Sequence, residues 1–118
     1  MAWELNSDQP IYAQLAERIR MQIMSGQYPP GSKLPSVREL ATVAAVNPNT
    51  MQKAFAELER SGLILTQRTN GRTVTEKPEM IREIKEKTAA GYAELFFRRM
   101  KELGYTEKES VEFLRKEG

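Results

Sequence analysis

Asn49, Thr50, Gln52 and Lys53 place two amides, a hydroxyl and an ammonium within residues 49–53. Such groups donate and accept hydrogen bonds, but without an activating base they neither attack a substrate nor shuttle its protons. Their chemistry is recognition. The rest of the chain offers nothing to set against that. It has no histidine, the commonest general base and metal ligand, and no cysteine for a disulfide, a thiolate zinc site or a nucleophile. Its acids are scattered among lysines and arginines, and it has no glycine-rich phosphate loop. No catalytic residue, metal or cofactor is expected, and the chain reads as a non-enzyme.

The four recognition residues sit on a stretch that reads as a helix with clear ends. Asn47 can cap the first free N–H groups, and Pro48 suits the first helical position because it has no N–H to lose. Val46 and Met51 have the spacing of a hydrophobic staple, and Gly62 can end the helix in a left-handed conformation. Met51, Ala54, Phe55 and Leu58 form one apolar stripe. The opposite face of the first two turns carries no carboxylate; Glu57 and Glu59 come only in the second half. A helix entering a DNA groove N-terminus first needs this layout, with acids held back from the phosphates. An ordinary amphipathic surface helix is the plain alternative.

Composition bounds the setting. The chain has 118 residues, 40% of them hydrophobic and 29% charged, as expected of one globular domain with a small appendage. No apolar run approaches a membrane span and no signal-peptide core opens the chain, so a cytoplasmic location without membrane partners is expected. The net charge of +2 says little by itself. Within 33–77, however, seven basic residues (Lys33, Arg38, Lys53, Arg60, Arg68, Arg72, Lys77) face four acids (Glu39, Glu57, Glu59, Glu76). That local excess suits an electrostatic footprint on DNA.

In chain order, Met1 to Gln9 reads as an arm whose Trp3 must pack on something. A helix follows from about Pro10 to Ser25, capped by Asp8 or Gln9, with Ile11, Leu15, Ile19 and Ile23 on its core face. A Pro- and Gly-rich loop delivers Lys33 and Leu34 to a capping box, Ser36-Val37-Arg38-Glu39, that opens a second helix. Val37, Leu40, Ala41 and Ala44 would be buried, leaving Arg38 outward. After a short turn comes the helix at Pro48, so the pair makes a helix-turn-helix. Leu63–Arg68 and Arg72–Thr75 read as strands joined at Asn70-Gly71, a strong hairpin signal. A hairpin in this place is a wing. Arg68 and Arg72 flank its tip and either reach phosphates or merely protect a strand edge.

Pro78 marks a boundary, dividing a winged helix-turn-helix (1–77) from a helical hairpin (78–118). The first tail helix runs from Glu79 to about Leu103 and ends at Gly104; Thr106-Glu107-Lys108-Glu109 opens the second with another capping box. A two-helix hairpin cannot bury Tyr92, Phe96, Phe97, Met100, Phe113 and Leu114 alone, and a candidate dimer interface of Ile84, Tyr92, Leu95, Phe96, Met100, Leu103, Phe113 and Leu114 follows. Gly91, beside Ala89 and Ala90, suggests close approach of another helix. The alternative is a monomer whose hairpin folds back on the winged domain. The fold class is therefore mainly α with a small β-hairpin.

Several runs resemble the GntR family of bacterial transcription regulators: Pro10-Ile11-Tyr12, Gly26, Pro30-Gly31, Lys33-Leu34-Pro35-Ser36-Val37-Arg38-Glu39-Leu40-Ala41, Val46-Asn47-Pro48-Asn49-Thr50 and Leu58-Glu59-Arg60-Ser61-Gly62-Leu63-Ile64. The short two-helix tail is similar to the YtrA subfamily. The resemblance implies a homodimeric, operator-binding regulator, usually a repressor, often of transporter operons. By position it makes Ser36, Arg38, Asn49, Thr50, Lys53 and Gly71 contact residues. The wing departs from the family pattern, with Thr69 where a second glycine is usual. The full candidate DNA-binding set is Lys33, Ser36, Arg38, Asn47, Asn49, Thr50, Gln52, Lys53, Arg68, Gly71 and Arg72. The expected partner is a near-palindromic double-stranded DNA operator; a small-molecule effector between dimer helices near Tyr92 and Phe96 is a lesser expectation. A winged helix that binds protein instead of DNA is the competing function.

Overall fold

The computed structural model describes residues 2–69 and 71–117. Seven elements follow one another among them: α1 (Ile11–Met24), α2 (Val37–Ala44), α3 (Pro48–Arg60), β1 (Ile64–Gln67), β2 (Gly71–Val74), α4 (Pro78–Glu102) and α5 (Glu107–Glu117). The chain forms two compact units, Met1–Arg82 and Glu83–Gly118, so the first residues of α4 belong to the N-terminal one.

The N-terminal unit is a winged helix-turn-helix. Leu15, Ile19 and Ile23 of α1, Leu40 and Ala44 of α2, and Met51, Phe55 and Leu58 of α3 are buried with Leu63, Ile64 and Val74. Helical spacing puts each helix's apolar residues on one stripe, and the three stripes meet around Phe55, which is fully buried. Ile11 and Tyr12 lie at the stripe's edge and are half-buried. α1 starts one residue later than expected. Pro10 takes the cap position in an extended conformation and has no side-chain acceptor, so neither Asp8 nor Gln9 caps the helix. Gln14, one turn inside, reaches back to Asn6 and to the Gln9 carbonyl and pins the arm. Trp3 packs under Arg18, whose guanidinium carbon lies 4.6 Å from the ring centroid.

β1 and β2 pair antiparallel, with Thr66 opposite Arg72 and Gln67 opposite Gly71. Gly71, exposed at φ +69°, opens β2 instead of closing a turn, and Asn70 falls outside the described residues. The loop before α2 adds a rung on the other edge of β2. Lys33 bridges Thr73, the Leu34 N–H donates to the Arg72 carbonyl and the Val74 N–H donates to the Ser32 carbonyl, both at 2.9 Å. The wing is thus held from both sides at its base.

The C-terminal unit holds most of α4 and all of α5. α4 ends at Gly104 (φ +97°), where the Tyr105 N–H returns to the Met100 carbonyl. The capping box at α5 forms as expected: the Glu109 N–H donates to Thr106 Oγ1 at 3.1 Å and the Thr106 N–H to Glu109 Oε1 at 2.9 Å. Only Met100 and Ser110 are buried in this unit among the described residues. No described helix is long and apolar enough to cross a membrane.

Candidate nucleic-acid interface

α3 begins as its residues demand. Asn47 Oδ1 accepts from the Asn49 N–H at 2.8 Å, and Pro48 occupies the first turn. The preceding turn is tight because Ala45 adopts a left-handed conformation (φ 59°, ψ 48°), sending the Val46 N–H back to the Ala41 carbonyl. The buried stripe of α3 fixes which face remains outside. Asn49, Gln52 and Lys53 are exposed and Thr50 half-buried. The side chains of Asn49, Gln52 and Lys53 have no hydrogen-bond partner among the described residues, so their donors and acceptors are available to a ligand.

Both acids of α3 are held by arginines. Glu57 pairs with Arg60 at 2.8 Å along the helix. Glu59 accepts from Arg72 Nε at 2.8 Å and, on its other oxygen, from Thr66 Oγ1 at 2.9 Å. The Arg72 hydrogen bond holds the Glu59 carboxyl below its ordinary value, against a smaller opposing effect of burial. The guanidinium also lies 5.2 Å from the centre of the Phe55 ring. Arg72, expected at a phosphate, is therefore drawn toward α3.

At the start of α2 the capping box is closed: Glu39 N–H donates to Ser36 Oγ and Ser36 N–H to Glu39 Oε1, both at 3.0 Å. These bonds, the backbone one first, lower the Glu39 carboxyl, with nearby Lys33 adding to them. Ser36 and Asn47 thus spend acceptor oxygens on their helices. Arg38 stands exposed, without a side-chain partner among the described residues. Lys33, Ser36, Gly71 and Arg72 gather around one open cleft of about 220 Å³, closed below by Phe55. Arg38, Asn47, Asn49, Thr50, Gln52, Lys53 and Arg68 lie outside its lining. Glu59 and Thr66 were not among the candidates, because a pair linking a helix to a hairpin leaves no periodic trace in sequence.

The family model for the bacterial regulatory proteins, gntR family, matches residues 11–74. The chain belongs to the GntR family. The uncharacterized HTH-type transcriptional regulator YhcF of Bacillus subtilis (strain 168) is 42% identical over 109 residues, covering 92% of this chain and 90% of YhcF. The HTH-type transcriptional repressor YtrA of the same organism is 49% identical over 70 residues, covering 59% of this chain and 54% of YtrA. A solved GntR family transcriptional regulator from Listeria monocytogenes superposes with a TM-score of 0.89 at 38% identity, covering 95% of this chain and 98% of that one. This GntR chain is a DNA-binding helix-turn-helix transcription regulator with YtrA-type relatives.

Among the candidate dimer residues, Tyr92, Leu95, Leu103, Phe113 and Leu114 are exposed, and Ile84 and Phe96 half-buried. Met100, of the same set, is 8% exposed and so is largely covered within one chain. A side chain at Gly91 would meet nothing within 4 Å among the described residues. An open cleft of about 650 Å³ in the C-terminal unit is lined by Phe97, Arg98, Lys101 and residues 104–107.

Proposed function

We propose that this regulator binds a near-palindromic operator as a homodimer and represses transcription there. Each subunit lays the first half of α3 in a major groove, with Asn49, Gln52 and Lys53 reading base edges and Thr50 close to the backbone. Lys33, Arg38 and Arg68 hold phosphates, and the Gly71 backbone faces the duplex at the wing. Ser36 and Asn47 act from their caps, through helix N-termini that favour phosphate. The single observation that carries this reading is the acid-free, unengaged front of α3, set against two rear carboxylates that are each paired with arginine.

Residues 1–77 form the DNA-binding part and 78–118 the dimerisation part in this reading. The exposed apolar side chains of α4 and α5 meet the same surface of a second copy. Repression is supported by the likeness to the YtrA repressor. Two-fold symmetry then requires half-sites about one helical turn apart.

Selection of bound duplexes from a random pool tests the reading. Enrichment of an inverted repeat, with affinity falling steeply as salt rises, is the expected result. A pool that stays random would favour a protein-binding winged helix and overturn the proposal.

A further inference from the structure

Glu59 links three elements of the N-terminal unit, α3 and both strands. Its two oxygens are taken by different strands: Oε2 by Thr66 of β1 and Oε1 by Arg72 of β2. Thr66 and Arg72 are register partners, so the carboxylate grips both strands at one rung of the hairpin. Phe55, one turn earlier on α3 and fully buried, supplies the ring over which the Arg72 guanidinium rests. Side-chain exposures of 24% for Arg72 and 32% for Glu59 show a pair partly shielded from water.

An acid on a groove-reading helix repels phosphate, and nothing in the packing of α3 requires one at this position. A surface ion pair of ordinary kind joins two side chains, whereas this carboxylate fixes a hairpin to a helix. We propose that Glu59 is a positioning residue that sets the wing at the angle to α3 at which both meet the duplex. The inference rests on the DNA-binding reading above and adds to it the means by which helix and wing are held in register. Arg72 then works as the strap between them, and phosphate contact at the wing falls to Arg68.

The test compares Glu59→Ala, Glu59→Gln and Arg72→Ala with the wild-type protein on a duplex selected by the wild type. Charge alone predicts tighter binding when an acid is removed. Positioning predicts the reverse: a wing that holds its binding angle only a fraction of the time weakens apparent affinity by that fraction, about fivefold. Arg72→Ala should weaken binding by a similar factor while leaving the slope of log affinity against log salt unchanged. Loss of a phosphate contact in each subunit would lower that slope by about one per subunit, about two for the dimer. In the free protein, amide exchange across 64–74 should quicken in Glu59→Ala and Glu59→Gln while the amides of α1 keep their protection.

Equal or tighter binding by both Glu59 variants would overturn the proposal, as would a salt slope reduced by about two in dimeric Arg72→Ala. Wild-type protein that selects no duplex at all is a different failure: it removes the DNA reading itself. The Gln variant keeps the side-chain volume and retains the comparison should Glu59→Ala unfold.

Discussion

The two units solve the burial problem in different ways. The N-terminal unit closes a core around Phe55, with side chains from three helices and the sheet all withdrawn from water. The C-terminal unit buries only Met100 and Ser110 among its described residues and leaves Leu103 73% exposed. Burying a large apolar side chain contributes about 1.5–3 kcal/mol, so the first unit has its main driving force in hand and the second does not. A folded domain completes itself; an amphipathic hairpin waits for a surface. The contrast teaches where single substitutions should act within one chain and where, on the proposed dimer reading, they should act between two.

The largest expected effect lies in the closed core. Phe55→Ala should cost about 3–5 kcal/mol, enough to bring a small domain close to unfolding. Denaturant titration followed by circular dichroism measures it, and a cost under about 1 kcal/mol would break the contrast by showing a core that does not depend on its central ring.

The hairpin should respond in the opposite way. Leu103→Arg changes a side chain that is 73% exposed, so a monomer would lose little by it. With two subunits clasped there, the variant should sediment as a monomer and bind a two-half-site duplex at least about a hundredfold more weakly, because avidity is lost. Unchanged sedimentation and affinity would show that this part of the hairpin faces nothing.

A smaller effect sharpens the account of the first unit. Ser36→Ala removes the acceptor for the Glu39 N–H and should cost about 1 kcal/mol, read as a lower Tm. Glu39 and Glu59 share a pH signature. Both carboxyls are lowered by their hydrogen bonds, so both bind protons more readily in the unfolded chain. Their stabilisation is complete above the unfolded value near 4.5 and fades as pH falls through the lower folded values. Acid titrations of the wild type should therefore lose stability below about pH 4.5, and Ser36→Ala should lose less of it there.

The smallest effect has the opposite sign. Ala45 sits at φ 59°, where a side chain costs about 1–2 kcal/mol that glycine avoids. Glycine gives back part of that gain through its freer unfolded chain, leaving Ala45→Gly more stable by about 0.5 kcal/mol. Differential scanning calorimetry should show Tm rising by about 2–4 °C.

Elements whose ends are marked by local chemistry were legible in the sequence. Asn47-Pro48, Ser36 with Glu39, and Thr106 with Glu109 each act within one turn of helix, and all three form. The stripes of α1, α2 and α3 followed from spacing alone, except that Ile11 and Val37, at the first position of their helices, are half-buried. Contacts between distant residues were not legible. The rung between Lys33 and Thr73 joins a loop to a strand forty residues away, and the Pro- and Gly-rich loop carries no strand pattern to announce it. Arg72 looked like a free cation at a wing tip because its partner lies on another element thirteen residues earlier. Ala45 was read only as part of a short turn, since a left-handed alanine has no signature comparable to glycine's. Met100 followed the same apolar spacing as its neighbours, and only the packing of its own unit sets it apart.

The ladder on both edges of β2 makes chain length matter unequally along the first unit. The ladder between the strands closes at the Gln67–Gly71 pair, so extra residues beyond it would disturb no rung. Between Gly31 and Leu34 each residue is in register with the wing, so a single insertion would shift Lys33 off Thr73 and carry the opening of α2 with it. Relatives of this chain should accordingly vary in size at the tip of the wing and keep a constant count of residues before the second helix.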